Sequence, residues 1–361
     1  MTGWPRRRRG THLMFMTCTP GQLRFRQEVP DYFQTLMTPE VETALAAVGE
    51  DSDSSPEDER EKSRTVPHET IKLDVDGAVA TITLNRPEKL NALSPQLRGE
   101  LENALAELRP GDRVRVVRIR GAGRGFCSGY DMTSGDSVYN SGLPAHPAPG
   151  AGPDCGAGAV PATELGESSL ALDRERLRES IERWLAIWNY RKPIVAQVHG
   201  LCLSGGLDLI GVCDLVYASD DARFGHPAAR GLGIPPTMGM LPMKIGAART
   251  KELFFTGDTV DGPEAYRLGL VNAVVPAAEL DERTAALCRR IACTPLDALT
   301  LHKHVINRWS EIAGLRLGAL EGADFDAMFH VTPASIEFGR IAGRDGVRSA
   351  LSWRDQPFDN P

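Results

Sequence analysis

The chain has 361 residues, with 41 Lys and Arg against 48 Asp and Glu, so its formal net charge is −7. Hydrophobic residues make up 42% and charged residues 25% of the chain, which is typical of a globular protein with a sizeable core. No uninterrupted apolar run approaches the roughly 20 residues of a membrane-spanning helix, and the acidic balance argues against a nucleic-acid-binding protein, because such domains are usually basic.

The first 68 residues differ from the rest of the chain in composition. They contain a run of four arginines at 6–9 and, at 50–64, a stretch with seven acidic and three basic residues and no apolar ones. Such a stretch cannot bury enough surface to offset the entropy lost on ordering. We therefore predict a disordered N-terminal extension over residues 1–68, with a short helix at 41–48. The arginines are not followed by the continuous apolar segment of a secretory signal.

Regular structure is predicted to begin with a β-hairpin and a helix. Apolar and polar residues alternate on both sides of Asp76-Gly77, which is a strong hairpin signal. A helix should follow from Ser94-Pro95, because its apolar residues fall at i, i+4, i+7, i+8 and i+11, on one helical face. These residues are Leu97, Leu101, Ala104, Leu105 and Leu108. A strand is predicted next, over 114–119.

The excess of glycine and proline is concentrated in one later segment. Residues 134–166 hold seven glycines and five prolines, and we predict that they form a long surface insert, either functional or disordered. A helix near 170–188, strands at 194–198 and 215–218 and mostly helical segments after Gly246 should follow. This alternation of strands and helices indicates the α/β class. We expect a core over residues 69–272 and a helical region over 273–361.

The seven cysteines indicate neither a disulfide framework nor a metal site. Their number is odd and no two have C-x-x-C spacing, so neither pairing nor zinc binding is signalled. We expect no metal and a reducing, cytoplasmic location. The cysteines are Cys18, Cys127, Cys155, Cys202, Cys213, Cys288 and Cys293.

Two glycine-rich turns carry the strongest signal for a functional site. The first is GFCSGYDM at 125–132 and the second is SGGLD at 204–208. Glycine at a strand end lets the backbone approach a ligand, and a helix N-terminus presents N–H groups without intrahelical acceptors. If the two turns meet, they form a site for a developing oxyanion; alternatively, both are tight connections without a ligand. The glycines at 121, 123 and 125 do not complete a dinucleotide-binding motif, because residue 126 is Phe, and the sequence contains neither a P-loop nor a nucleophile-elbow motif.

The chain from about Ile71 to Asn272 resembles the crotonase (enoyl-CoA hydratase/isomerase) superfamily. The matching segments are NRPEKLNAL (85–93), FCSGYDM (126–132), KPIVAQVHG (192–200), SGGLDL (204–209), CDL (213–215), FG (224–225), GLVN (269–272) and DGVRSALSWR (345–354). The resemblance implies an α/β fold, the crotonase-type spiral of ββα units, with a helical C-terminal trimerisation region. The N-terminal extension and the Gly/Pro-rich insert are not part of it.

The resemblance also implies roles for the two turns. Backbone N–H groups of Tyr130 and Gly205 would hold the thioester carbonyl oxygen of an acyl-CoA and stabilise an enolate. Family hydratases carry two glutamates, at positions that are here Asp208 and Ala228. We predict that Asp208 acts as a single general acid/base, and the alternative is a carboxylate that only interacts with the helix dipole. Dienoyl-CoA isomerases of the family share the Asp, but their other acids fall at Ala228 and Pro236.

Eight further residues are candidates for binding the substrate, and a structural role stays open for each of them. Three lie in the first turn, two lie near the missing second acid, and three are cations suited to the phosphates of CoA. They are, in that order, Gly129, Asp131 and Met132; His226 and Arg230; and Arg86, Lys89 and Lys303.

The expected function is that of an enoyl-CoA hydratase or a related isomerase, acting on an acyl-CoA thioester through an oxyanion-stabilised enolate. The resemblance implies no cofactor apart from the coenzyme A of the substrate, and a homotrimer or a dimer of trimers. Two alternatives stay open. The missing acid at Ala228 is compatible with a non-catalytic acyl-CoA-binding protein, and also with a hydrolase or decarboxylase of the same fold.

Overall fold

The computed structural model describes residues 68–132, 167–234 and 240–359. The predicted helix at 41–48, the extension as far as residue 67, the Gly/Pro-rich insert and Pro236 lie outside the described residues.

Nine strands form two sheets in the described part of the chain. In chain order they are β1 (Ile71–Asp76), β2 (Val79–Leu84), β3 (Val116–Gly121), β4 (Ile194–Val198), β5 (Leu201–Leu203), β6 (Leu215–Ser219), β7 (Arg223–Gly225), β8 (Thr259–Asp261) and β9 (Ala273–Val275). The larger sheet has the order β1-β2-β3-β4-β6-β9 and the smaller one β5-β7-β8. In the larger sheet β1 and β2 are antiparallel and every other pair is parallel.

Eleven α-helices surround the sheets within the same residues. They are α1 (Pro95–Glu107), α2 (Glu167–Trp188), α3 (Gly205–Gly211), α4 (Met240–Ile245), α5 (Ala247–Thr256), α6 (Gly262–Leu268), α7 (Leu280–Ile291), α8 (Leu296–Ile312), α9 (Leu315–His330), α10 (Pro333–Asp345) and α11 (Val347–Asp359). None of these helices is long and apolar enough to cross a membrane. Short 3₁₀ helices at Pro87–Lys89, Pro227–Arg230 and Ala277–Glu279 complete the order.

The predicted hairpin and first helix are confirmed. Strands β1 and β2 pair from Ile71↔Leu84 to Asp76↔Val79, and Gly77 adopts φ +57° in the turn, where glycine is favoured. Helix α1 begins after Ser94, whose side chain accepts a hydrogen bond from the Leu97 N–H at 3.2 Å. This capping satisfies one of the N–H groups that a helix start leaves unpaired.

The central strands of the larger sheet are buried on both faces. Successive residues of a strand point to opposite faces, and in β4 all five residues are buried. Ile194, Ala196 and Val198 pack into the main core with α1 and α2, whereas Val195 packs with Cys288 of α7. Burial on both faces is what parallel sheets require, and it explains why β4 is apolar at every residue except Gln197.

Short strands account for most of the difference between the predicted and the observed elements. Strands β5, β7, β8 and β9 have three residues each and were not predicted, because three residues carry no readable periodicity. Strand β3 begins at Val116 and not at residue 114. The predicted α/β class and the helical C-terminal part agree with the structure.

Candidate active site

The first glycine-rich turn follows β3 and is held by the segment before α1. Leu93 and Tyr130 form a parallel bridge, in which the Leu93 N–H donates to Gly129 O at 2.8 Å and the Asp131 N–H donates to Leu93 O at 3.1 Å. In such a bridge the middle residue directs its own N–H to the opposite side of the strand. The N–H of Tyr130 therefore points away from Leu93.

The second turn lies between β5 and α3. Ser204 has φ +48°, a left-handed conformation that costs energy for a residue with a side chain. Its N–H donates to Gly225 O, at the end of β7, at 2.9 Å. Gly205 is the first residue of α3, so its N–H has no acceptor within that helix.

The two turns are in contact, which is required if they form one site. A Cβ atom on Gly129 would lie 2.9 Å from the Cβ of Ser204, and one on Gly205 would lie 2.9 Å from a ring carbon of Tyr130. Gly129 also has φ +112°. A side chain at either position would clash, so these two glycines allow the two turns to approach each other closely.

Asp208 lies beneath this junction and is completely buried. Its Oδ2 accepts a hydrogen bond from the Tyr130 hydroxyl at 3.0 Å, and that hydroxyl in turn accepts one from Nε1 of Trp184 at 3.1 Å. The indole N–H can only donate, so the Tyr130 hydroxyl accepts from Trp184 and directs its own proton to Asp208. This chain of hydrogen bonds fixes the orientation of the carboxylate.

The buried guanidinium of Arg98 lies next to the same chain of hydrogen bonds. The guanidinium carbon of Arg98 lies 5.8 Å from the ring centre of Tyr130 and 5.4 Å from that of Trp184, within the range of cation–π attraction. Its Nη2 donates to Ser180 at 3.0 Å. The side chains of Tyr130, Trp184 and Arg98 were not predicted from the sequence to be part of the site. The available signal was weak, because all three lay on helices or turns with an ordinary apolar pattern.

His226 is the second titratable side chain at Asp208. It is fully buried, and its Nε2 lies 4.0 Å from Oδ1 of Asp208. Its ring meets that of Phe254 edge-on, with 5.5 Å between the centres. Burial lowers the pKa of His226 from 6.5 to about 3, so the imidazole is neutral at physiological pH.

Ala228, at the position of the missing second acid, lies in an apolar cluster. It is buried together with Leu232, Phe338, Ile341 and Ala350, and Met132 of the first turn packs against the same cluster. Helices α10 and α11 thus cover this side of the site with hydrocarbon. The structure places no carboxylate at residue 228 and surrounds the position with groups that disfavour one.

Two of the cations predicted to bind CoA phosphates, Arg86 and Lys89, lie at the first turn, but only Lys89 is exposed. Arg86 donates to Oδ2 of Asp131 at 2.8 Å and to Ala92 O at 2.6 Å, so this pair holds the first turn in place and neither charge is free for a phosphate. Lys89 is exposed and adjoins the same turn, since the Ser128 hydroxyl donates to Lys89 O at 3.4 Å. Lys89 therefore remains a candidate.

Lys303 and Arg230 are both paired with other groups of the protein, and their role in binding the substrate stays a prediction. Lys303 is buried and its ammonium pairs with Asp214 at 2.8 Å. Asp214 also accepts from the Ile194 N–H at the amino end of β4, the sheet edge opposite the two turns. Arg230 donates to Thr256 O and Asp258, both at 2.8 Å, and lies over the ring of Phe358.

The family is decided by comparison with known proteins. The family model for enoyl-CoA hydratase/isomerase matches residues 74–141 and 157–339. The chain belongs to the enoyl-CoA hydratase/isomerase family. The match includes both turns and Asp208, so the predicted superfamily and enzyme class are confirmed.

Relatives of this chain include proteins named as hydratases and a protein named as an isomerase. It is 34% identical over 298 residues to the "Putative enoyl-CoA hydratase EchA13" of Mycobacterium tuberculosis, which covers 81% of this chain and 89% of that protein. It is also 34% identical over 257 residues to the peroxisomal "Delta(3,5)-Delta(2,4)-dienoyl-CoA isomerase" of Arabidopsis thaliana, covering 68% of this chain and 83% of that protein.

Solved structures agree on the crotonase fold. The crystal structure of an enoyl-CoA hydratase from Mycobacterium smegmatis superimposes with a TM-score of 0.69 at 30% identity, covering 81% of this chain and 94% of that one. An enoyl-CoA hydratase/isomerase from Xanthobacter autotrophicus Py2 gives a TM-score of 0.68 at 31% identity, with 81% and 99% covered.

Proposed function

We propose that this protein isomerises an enoyl-CoA, moving a double bond toward the thioester with Asp208 as the one proton-transferring carboxylate. The observation that carries this proposal is the contrast between Asp208, which is buried and oriented by Tyr130, and Ala228, which lies among hydrocarbon. Hydration in this family uses two glutamates, and this chain retains an acid at one of the two positions. A single carboxylate suffices to carry a proton between two carbon atoms.

The thioester carbonyl oxygen is bound between the N–H groups of Tyr130 and Gly205. Two observations support these donors: the Leu93 bridge directs the Tyr130 N–H away from its own strand partner, and Gly205 starts α3. The partial positive charge of a helix N-terminus favours an anion there. Loss of one such donor typically lowers the rate by a factor on the order of 10²–10³.

The proton and the electron pair move as follows in a 3-enoyl-CoA. The Asp208 carboxylate removes a proton from C2, and the electron pair of that C–H bond delocalises into the carbonyl to give a dienolate held at the two N–H groups. Asp208, now a carboxylic acid, returns the proton to C4, and the double bond ends between C2 and C3. The reaction conserves all atoms and electrons and needs no cofactor beyond the CoA moiety of the substrate.

The test is an absorbance assay of a 3-enoyl-CoA, such as 3-hexenoyl-CoA, because the conjugated 2-enoyl product absorbs in the near ultraviolet. We expect the wild type to form the product and Asp208→Asn to be slower by a factor on the order of 10²–10⁴. Asp74→Asn is the matched control, since Asp74 is an exposed carboxylate on β1. In a parallel assay of a 2-enoyl-CoA such as crotonyl-CoA, loss of the 2-enoyl absorbance, with no isomerisation of the 3-enoyl-CoA, would support hydration. Release of CoA thiol would support a hydrolase, and binding without turnover a non-catalytic acyl-CoA-binding protein.

We also propose that the protein is a homotrimer or a dimer of trimers. The supporting feature is an apolar stripe on α8, formed by exposed residues on the side of the helix opposite the buried Lys303 and Asn307. Trp309 is 73% exposed and Ile312 is 69% exposed, whereas monomeric proteins rarely expose contiguous apolar patches of this kind. The stripe comprises Leu301, Val305, Ile306, Trp309 and Ile312.

A further inference from the structure

His226 is a polar side chain at this site that has no role in the proposed reaction. It is fully buried, and neither of its ring nitrogens has a hydrogen-bond partner among the described residues. A buried polar group without a partner costs free energy, so an unbonded imidazole at this position requires an explanation. His226 follows β7 directly, two residues before Ala228.

The two oxygens of Asp208 face different residues. Oδ2 accepts from the Tyr130 hydroxyl at 3.0 Å, and Oδ1 faces Nε2 of His226 at 4.0 Å. This separation is too long for a hydrogen bond, which needs roughly 3.2 Å or less between nitrogen and oxygen. A movement of about 1 Å by either side chain would close it, and active-site hydrogen bonds often tighten in this way when substrate binds.

We propose that His226 is a positioning residue for Asp208, whose Nε2–H donates to Oδ1 in the substrate complex and holds the carboxylate against the substrate. This inference rests on the proposed role of Asp208 as the base. A carboxylate held by Tyr130 on one oxygen and His226 on the other cannot rotate, so the lone pair that takes the proton keeps one direction. A misplacement of about 1 Å can lower a rate by about 10²-fold.

Neutrality suits His226 to this role. A protonated histidine or an arginine at the same place would add a full positive charge, which stabilises the ionised carboxylate and weakens it as a base. Burial lowers the pKa of His226 to about 3, so His226 donates an N–H without adding a charge. The neighbouring Phe254 ring supplies apolar surface on the other side.

The test compares two substitutions by the exchange of α-protons of butyryl-CoA in D₂O, followed by NMR. His226→Leu keeps the site apolar and removes the donor, and we expect exchange to slow by roughly 10- to 100-fold with little change in KM. His226→Gln places an amide N–H at the reach of Nε2 but cannot carry a proton, and we expect it to keep most of the wild-type rate. Phe254→Leu is the control, because it removes packing against His226 but no donor.

Either of two results would overturn the positioning role. A His226→Leu variant with the wild-type rate would show that the donor is not used, and a His226→Gln variant as slow as His226→Leu would assign proton transfer to His226 itself. A crystal structure of the wild type with butyryl-CoA provides a test without turnover. We expect the 4.0 Å separation of Nε2 and Oδ1 to shorten to about 3.2 Å or less; an unchanged separation contradicts the inference. If the wild type fails to isomerise a 3-enoyl-CoA although the separation shortens, the proposed reaction is contradicted, while the hydrogen bond from His226 to Asp208 stands.

Discussion

The hydroxyl of Tyr130 lies 3.0 Å from Oδ2 of Asp208 and donates a hydrogen bond to it. In the proposed reaction the backbone N–H of the same tyrosine binds the thioester oxygen, so one residue serves both the oxyanion and the base. The distance between these two groups is consequently set by the covalent geometry of a single side chain. Trp184 completes the arrangement by donating to the hydroxyl.

The first prediction concerns this hydroxyl. Tyr130→Phe removes the hydrogen bond to Asp208 but keeps the backbone N–H, so we expect kcat to fall by roughly 10- to 100-fold with a much smaller change in KM. A hydrogen bond to a charged group contributes about 1.5–3 kcal/mol, which corresponds to this range. The measurement is steady-state kinetics on a 3-enoyl-CoA. An unchanged kcat would exclude a role for the hydroxyl in orienting the base.

The second prediction concerns the missing acid. Ala228→Glu places a carboxylate among Leu232, Phe338, Ile341 and Ala350, and a buried carboxylate without a partner is costly. We expect a loss of roughly 2–5 kcal/mol of stability and no gain of hydratase activity. Thermal unfolding and the absorbance of a 2-enoyl-CoA measure the two effects. Ala228→Val tests steric crowding without charge. A stable Ala228→Glu variant that hydrates the substrate would contradict the apolar assignment of this position.

The third prediction concerns the pH dependence of stability. Burial lowers the pKa of His226 from 6.5 to about 3, so below pH 6.5 the unfolded chain binds a proton that the folded chain does not. This linkage destabilises the folded state as the pH falls. We therefore expect the wild type to lose stability relative to His226→Gln as the pH falls from about 7 to about 5, and the difference to be constant above about pH 7.5.

The measurement is the difference in unfolding temperature between the two proteins at each pH. Comparing differences cancels the titration of all other groups, provided that the substitution does not change them. A difference that stays constant across the whole range would mean that His226 titrates normally and is not desolvated.

The fourth prediction concerns assembly. Trp309→Asp places a charge in the apolar stripe of α8, and we expect it to convert the homo-oligomer into a monomer, because charged residues are excluded from the cores of such interfaces. Light scattering coupled to size-exclusion chromatography gives the mass directly. His304→Asp, an exposed polar position on the same helix, is the control. A wild-type mass equal to one chain would contradict the oligomer, whatever the variant does.

Features that depend on neighbours in the chain were predictable. The hairpin at Asp76-Gly77 and the helix after Ser94 follow from turn chemistry, periodicity and capping, and the structure reproduces both. The two turns were recognisable for the same reason, because glycine marks backbone positions that other residues disfavour. Their identification with an oxyanion site came from the family resemblance, and the assignment of individual site residues remains a prediction.

Features that depend on residues distant in sequence were not predictable. Arg86 read as an available cation, yet it pairs with Asp131, 45 positions away. Lys303 also read as available, yet it is buried against Asp214, 89 positions away. The sequence does not show whether a charged residue is solvated or paired. Its partner is set by the order of the strands and helices in the folded chain.

The sequence by itself determined the α/β class, the family and the two positions at which hydratases of this family carry acids. These features depend on local propensities and on motif residues, which can be identified without the fold. Only the tertiary structure decided which groups surround residues 208 and 228. It placed Asp208 under the hydroxyl of Tyr130, 78 positions away, and beside a neutral His226, and it buried Ala228 against α10 and α11. The reactivity of a carboxylate is set by its surroundings, through desolvation and hydrogen bonding, and those surroundings exist only once the chain has folded.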